Sequence, residues 1–533
     1  MAVPPRASRR AGFALVVIVA LVAGVLFVPG SLRGWAAGPS TFIWGKSGDA
    51  DTLDSPISDN GETAEVTTQL FNLLVRAKPG QTDVEPDLAT SWSVSPDGLV
   101  WTFKLRQGVT FHDGTPWNAE AAKFNFDRWS DPKNPYRPKD ADFLYFGGFL
   151  ADTFKEARVV DPYTLQIVLK APNAPLVYNL SIIAFDFASP ASIKKYGGTG
   201  AGQHPVGTGP YKFVEWVRDD HVTMVANPSF FRKGLPKTQR LVMRVIKDNA
   251  ARFLALKSGE INAMEQPNVD DVKIARTDPH LKVGFRPPFN VGYLRFNLHN
   301  PLFSDRRIRE AVALAINRKA IVDALYAGYG DVANQLMPPV MWGRASTVKD
   351  YPYDPARAKQ ILAEAQYPNG FSFDFWYLPV ARPYIPNGKD VATAIASDLA
   401  KVGIRAHLVT EDWGTYLKDR VQTNKFPLFM FGWIGDNGDP DDWLGYFYAK
   451  HDPNSAYYSW NDATALALVA KARTLSSQAE RAKLYAQLAR LAADDIRDVP
   501  LAYAKVPLLM RSNVEGLVGQ PDANEYMETV YLK

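Results

Sequence analysis

Four aspartates crowd the segment FGWIGDNGDPDDW at residues 431–443: Asp436, Asp439, Asp441 and Asp442. Carboxylates so grouped can ligate calcium, act as an acid–base pair, or receive an organic cation. Calcium fits poorly, because Gly438 and Pro440 stand where alternating oxygen ligands are needed. A glycosidase pair is defined by a through-space separation that spacing along the chain does not fix. Our reading is that Asp436 receives the cationic group of a small ligand, in a loop shaped by Gly435, Gly438 and Pro440. For at least two of the four aspartates a solvated turn or a helix cap is the plain expectation, since both favour Asp.

A second constellation is LPVARPYIPNG at residues 378–388, where Arg382 and Tyr384 stand among Pro379, Pro383 and Pro386. The prolines stiffen the loop and reduce the entropy lost in fixing Arg382. The arginine fork suits a carboxylate. Spacing alone favours a plain surface arginine. Other chemistries find little support. The seven histidines are scattered, with no H-E-x-x-H pattern and no i, i+4 pair. A G-x-S-x-G elbow is absent. The loop HPVGTGP at residues 204–210 lacks the Lys-Ser/Thr pair of a phosphate cradle. With no cysteine at all, the chain has no disulfide, thiol nucleophile or thiolate metal site. The reading names no metal ligand, no cofactor and no catalytic residue.

These groups need elements to hold them. The apolar run at residues 427–434 has the length of a buried strand, and Gly and Pro end it at the aspartate loop. A carboxylate at the end of a core strand is held more firmly than one on a free loop. Strand and helix signals alternate through residues 371–377, 388–401, 404–409 and 427–434, which argues an α/β sheet. Earlier in the chain, residues 41–44 read as a strand. A helix follows with Val66, Leu70 and Leu73 on one face. Residues 92–105, with Pro96-Asp97-Gly98 at the centre, read as a hairpin. Asn118 caps a helix, residues 211–217 and 222–226 pair as strands, and Gly259 ends a helix begun at Asn249. Ser304-Asp305 and Asp354-Pro355 start two more helices, the first with Ile308, Ala311, Val312, Ala315 and Ile316 inward. Residues 463–493 read as helical and 499–504 as a strand.

At 533 residues the chain exceeds one compact core and implies two or three domains. The net charge of +4 arises from Arg6, Arg9, Arg10 and Arg33 near the N-terminus; beyond residue 37 there are 56 basic and 56 acidic residues. That balance gives no reason to expect nucleic acid or anionic lipid as a partner. Residues 1–37 read as an export signal, with basic residues, an apolar run at 11–28, and Ala36-Ala37 after it. The remainder is expected in the periplasm, or tethered to the membrane if the run at 11–28 stays uncleaved.

The runs SDRRIREAVALAINRKAIVDALYAGYG, QLMPPVMWG, YPYDPARAKQILAEA, PVARPYIPNG and GWIGDNGDP resemble the periplasmic dipeptide-binding branch of the family 5 ABC-transporter solute-binding proteins, the peptide, nickel and haem class. VEPDLATSWSVSPDGLVWTFKLRQGVTFHDGTP and GTGPYKFVEW match the same class. The resemblance runs in order from about residue 41 to the C-terminus. It implies an α/β, two-lobed periplasmic binding protein type II-like fold with an inserted subdomain and a hinge crossed twice. Lobe I would combine residues 38–74, 200–287 and 500–533, with 75–199 as the inserted subdomain and 288–499 as lobe II. By position, Asp436 matches the family aspartate that holds a peptide α-amino group, and Arg382 the arginine that takes the α-carboxylate. Tyr384, Trp413, Trp433 and Gly435 become candidate ligand-pocket residues, and Ser47 and Gly48 candidate contacts to the ligand backbone. The implied role is a monomeric receptor, not an enzyme, that delivers a short peptide to an ABC permease. The enteric dipeptide receptors carry cysteines that this chain lacks, and GKSGDADTLDSP departs from the branch in detail. A receptor for haem, nickel, an opine or a sugar, a secreted hydrolase, and the tethered ligand-binding half of a sensor are the competing readings.

Overall fold

The computed structural model describes residues 41–533; the expected export signal and its alternative as a tether lie outside the described residues. The fold is α/β and two-lobed, each lobe built on a large mixed sheet. The first sheet is seven-stranded. Its centre is the strand Thr41–Lys46, TFIWGK, buried over most of its length and parallel to both Arg240–Val245 and Ala263–Met264. Burial on both faces explains its near-continuous apolar character. The second sheet is six-stranded, with Asn290–Phe296 at its heart between Leu428–Ile434 and Asp498–Ala504. Parallel strands Ser372–Trp376 and Arg405–Val409 complete the side that carries the candidate loops.

The chain passes between the two large sheets twice. It leaves the first at Arg286 and enters the second at Asn290, then returns across Lys505, between Asp498–Ala504 and Val506–Arg511. A third, four-stranded sheet pairs the expected hairpin, Ala89–Val94 with Val100–Leu105, to Thr164–Leu169 and Phe154–Asp161. Gly98 closes that hairpin at φ +73°, a conformation open to glycine without strain. Each of these three sheets has its own apolar cluster.

Several helix readings shift by a turn. The first helix is Gly61–Leu70, and Leu73 lies beyond it, buried on the inserted sheet's cluster instead. The span at 463–493 is two helices, Ala463–Thr474 and Gln478–Asp494, because Ser477 caps the second by accepting a hydrogen bond from the Glu480 amide. Ile316 falls outside Arg306–Ala315, since Asn317 immediately caps the next helix, Arg318–Leu325.

Candidate ligand-binding site

A cleft of about 770 Å³ opens where strand ends, helix starts and the two crossings meet. Its wall includes Gly435 and Asp436, Arg382, the helix start at residues 58–65, Glu265, Arg286, Lys505 and Asp522. The size suits a small organic ligand.

Asp436 follows the strand Leu428–Ile434 directly. Its backbone amide donates to Asp442 Oδ2 at 2.8 Å, and Tyr145 Oη donates to its Oδ1 at 3.3 Å. Burial pushes Asp436 up to about 6 against the Tyr145 hydrogen bond, and the nearby Asp522 and Asp59 carboxylates push the same way. Asp522, also in the wall, is pushed to about 6, chiefly by burial. Such crowding of acids favours an arriving cation.

The other three aspartates fix the loop, but not as solvated turn residues. Asp439 is fully buried and pairs with both terminal nitrogens of Arg481 at 2.6 Å. It also caps the short turn Pro440–Asp442 by accepting from the Asp441 amide. Asp441 pairs with Arg473 at 2.9 Å and accepts from Tyr485 Oη. Asp442 is buried, and burial with the neighbouring Asp436 charge holds its carboxyl well above the ordinary range.

Arg382 lies in the loop after Ser372–Trp376, where its backbone pairs with Ile385. Its guanidinium forms no ion pair among the described residues, and its buried Nε has no hydrogen-bond partner. Trp413 supports it from beneath. Asp436 and Arg382 thus bring opposite, internally uncompensated charges to one wall.

The other sequence-derived candidates are placed differently. Gly435 lies in the cleft wall beside Asp436. Tyr384 does not line the cleft; it is 5% exposed, because its ring covers Gly432, where the absence of a side chain leaves room for it. Trp413 and Trp433 also stand behind the wall, Trp413 stacked on Phe431 and Trp433 on Tyr446 at 4.3 Å. Ser47 and Gly48 pack against Glu62, and Ser47 Oγ donates to Glu62 and Glu265. Sequence reasoning missed Glu62, Glu65 and Glu265, whose carboxylate oxygens gather within 4.8 Å of one another. The spacing of Glu62 and Glu65 behind Asn60, a good helix cap, was the available signal for two of them.

The family model for bacterial extracellular solute-binding proteins, family 5 Middle, matches residues 83–455. The chain belongs to this family. The solute-binding protein is 34% identical to the dipeptide-binding protein of Escherichia coli K12 over 92% of its own length and 95% of that protein. It is 36% identical to heme-binding protein A of Haemophilus influenzae, covering 85% of each chain. Its fold matches the ABC transporter-associated periplasmic binding protein DppA of Helicobacter pylori, solved with the peptide STSA. That match has a TM-score of 0.76 and 30% identity, and covers 92% of this chain and 98% of that one. The two-lobed, large-sheet architecture is therefore that of a solute-binding receptor.

Proposed function

We propose that this solute-binding protein captures short peptides, dipeptides first among them, outside the cytoplasm and hands them to an ABC permease. The observation that carries the reading is the pairing of Asp436 and Arg382 in one cleft wall, neither with an ion-pair partner among the described residues. Asp436 takes the α-ammonium and Arg382 the α-carboxylate. A fixed span between an anion and a cation measures the ligand, since a peptide of the wrong length leaves one charge buried and unpaired. The dipeptide and peptide ligands named for its relatives support the same assignment.

Haem is the ligand named for one relative, but no histidine lines this cleft among the described residues. Residues 41–74, 200–287 and 505–533 act as one lobe, 75–199 as its insertion and 288–504 as the second lobe; the boundary expected at residue 500 moves to Lys505, because Asp498–Ala504 pairs into the second sheet. The lobes close on the ligand about the two crossings, because some contacts exist only in the closed state. No bond of the peptide is broken, and the receptor acts as a monomer.

The deciding experiment is mass spectrometry of the solute released by denaturing the natively purified protein, followed by calorimetric titration of dipeptides. Intact dipeptides in the released fraction, and loss of their binding in Asp436→Ala, are the expected results. Removing Asp436 leaves a ligand ammonium unpaired in the cleft and costs on the order of 3–5 kcal/mol. A single non-peptide solute, or unchanged affinity in the variant, overturns the assignment; cleavage of the peptide on long incubation overturns the receptor reading.

A further inference from the structure

Three consecutive residues of the aspartate loop, Asp436, Asn437 and Gly438, are each met by a residue of the segment 75–199. Tyr145 Oη donates to Asp436 Oδ1 at 3.3 Å. Asn437 Nδ2 donates to Asn179 Oδ1 at 3.0 Å, and both residues are 4% exposed. Gly438 meets the backbone of Thr82 so closely that a β-carbon would lie 1.8 Å from the Thr82 carbonyl oxygen and 2.7 Å from its carbonyl carbon.

The seam continues on either side of the loop. Thr82 Oγ1 donates to the Val340 carbonyl at 3.0 Å. The Ala174 amide donates to the Arg473 carbonyl at 2.9 Å, and the Arg473 side chain pairs with Asp441. The Tyr178 ring lies 6.1 Å from that of Trp342, which also carries the Arg481 guanidinium at 5.3 Å. Arg481 is the partner of Asp439. The side chains that shape the aspartate loop from within its own lobe therefore stand at the same seam, and the loop both presents the proposed amine anchor and joins the two halves.

We infer that Asn179 and Thr82 are positioning residues for Asp436, acting through a latch that forms when the inserted subdomain meets the Asp436–Gly438 segment and that holds the ligand in. The inference rests on the peptide reading of the cleft and deepens it, because it gives the insertion a part in retaining the peptide. With the halves apart, the amides of Asn437 and Asn179 are hydrated; the bond between them is gained only when the halves meet with the loop in register. Asn437 and Gly438 follow Asp436 directly in the chain. A ligand that draws Asp436 out of place draws them with it, and they then miss their partners across the seam. A ligand shifts an open–closed balance only by what it gains in the closed state, and here that gain depends on where Asp436 stands. The latch closes after the peptide has entered, so it slows escape and leaves capture unchanged.

Gly438 allows the seam to be obstructed without disturbing its own lobe. The three atoms nearest to a β-carbon there all belong to Thr82, and the Gly438 φ lies outside the left-handed region, so Gly438→Ala meets its obstacle across the seam. Asn179→Ala removes the acceptor of the Asn437 amide and leaves the aspartate loop itself intact. The full-length protein and both variants are mixed with Ala-Phe in a stopped-flow instrument to read association and dissociation, and small-angle X-ray scattering with and without saturating Ala-Phe reads closure. We expect dissociation about tenfold faster in Asn179→Ala, the worth of one buried hydrogen bond, and at least that much faster in Gly438→Ala. Association should stay within about twofold in both. The compaction that Ala-Phe produces in the unaltered protein should be lost in Gly438→Ala. Unchanged dissociation in both variants overturns the latch and leaves the peptide reading standing, and so does full compaction of Gly438→Ala. A lowered melting temperature with unchanged dissociation marks a merely structural role and also overturns it. If one variant does not fold, the other decides. Failure of the unaltered protein to bind Ala-Phe or any other dipeptide overturns the peptide reading, and the latch with it.

Discussion

The Arg382 guanidinium carbon sits 4.5 Å from the centre of the Trp413 ring. Trp413 in turn stacks on Phe431 at 6.1 Å, and the Arg420 guanidinium covers the Phe431 ring at 4.0 Å. The proposed carboxylate anchor is therefore aimed by an aromatic platform rather than by an acidic partner, which leaves its charge free for a ligand. Trp413→Leu should weaken dipeptide binding by about 0.5–2 kcal/mol, the usual worth of such a contact, and Trp413→Phe should keep most of the affinity. Titration calorimetry on both variants checks the ordering.

Asp436 should couple binding and stability to pH in opposite directions. Its carboxyl is raised from 3.8 to about 6 in the folded, ligand-free protein. A group raised on folding stabilises the fold fully below its unfolded value, and that contribution is lost as pH rises through about 6. Asp436→Asn should therefore stabilise the ligand-free protein at pH 7.5 by about 1–2 kcal/mol, allowing for partial exposure, while removing dipeptide binding. In the unaltered protein, dipeptide affinity should fall by up to about tenfold per pH unit below that value, because the ammonium needs the ionised form. Denaturant unfolding and dipeptide titrations from about pH 4.5 to about pH 7.5, which bracket a carboxyl so shifted, measure the two effects.

Gly435 joins the core strand to the proposed amine anchor, and a side chain there has no room. A β-carbon would lie 2.3 Å from the Phe289 ring and 2.9 Å from Trp443 Nε1. Gly435→Ala should destabilise the protein by about 1–3 kcal/mol and weaken binding as well, since the same shift displaces Asp436. A thermal melt read beside a dipeptide titration distinguishes this from a purely local loss of contact.

The aspartate loop should depend on a residue far along the chain. Arg481, in the helix Gln478–Asp494, is the buried partner of Asp439. Arg481→Leu leaves that carboxylate buried and unpaired and should cost on the order of 3–5 kcal/mol. Adding Asp439→Asn should recover much of the loss, because the stranded charge is then gone. Urea unfolding of the two variants tests the relation.

The strands and caps near the site were legible because local signals carry them. Leu428–Ile434 is an apolar run ended by glycine, and Asp305, Asp354 and Asn118 cap helices as their types predict. Asp436 and Arg382 could be singled out from motif and loop chemistry, and tertiary structure puts them in one wall. What local pattern could not decide was which aromatic rings face solvent. Tyr384 has the composition of a pocket residue, yet its place is set by Gly432 on a strand some fifty positions away. The same holds for charge. Nothing near Asp439 in sequence announces that it belongs to Arg481, and nothing near Glu62 and Glu65 announces Glu265, because ion pairs and clusters of this kind form only when separate segments are packed together. Sequence alone thus determined the kind of chain and the elements that end in its charged loops, since propensity, capping and patterning act over a few residues. Folding decided which charges remain uncompensated and face the cleft, since burial and pairing are properties of the packed chain.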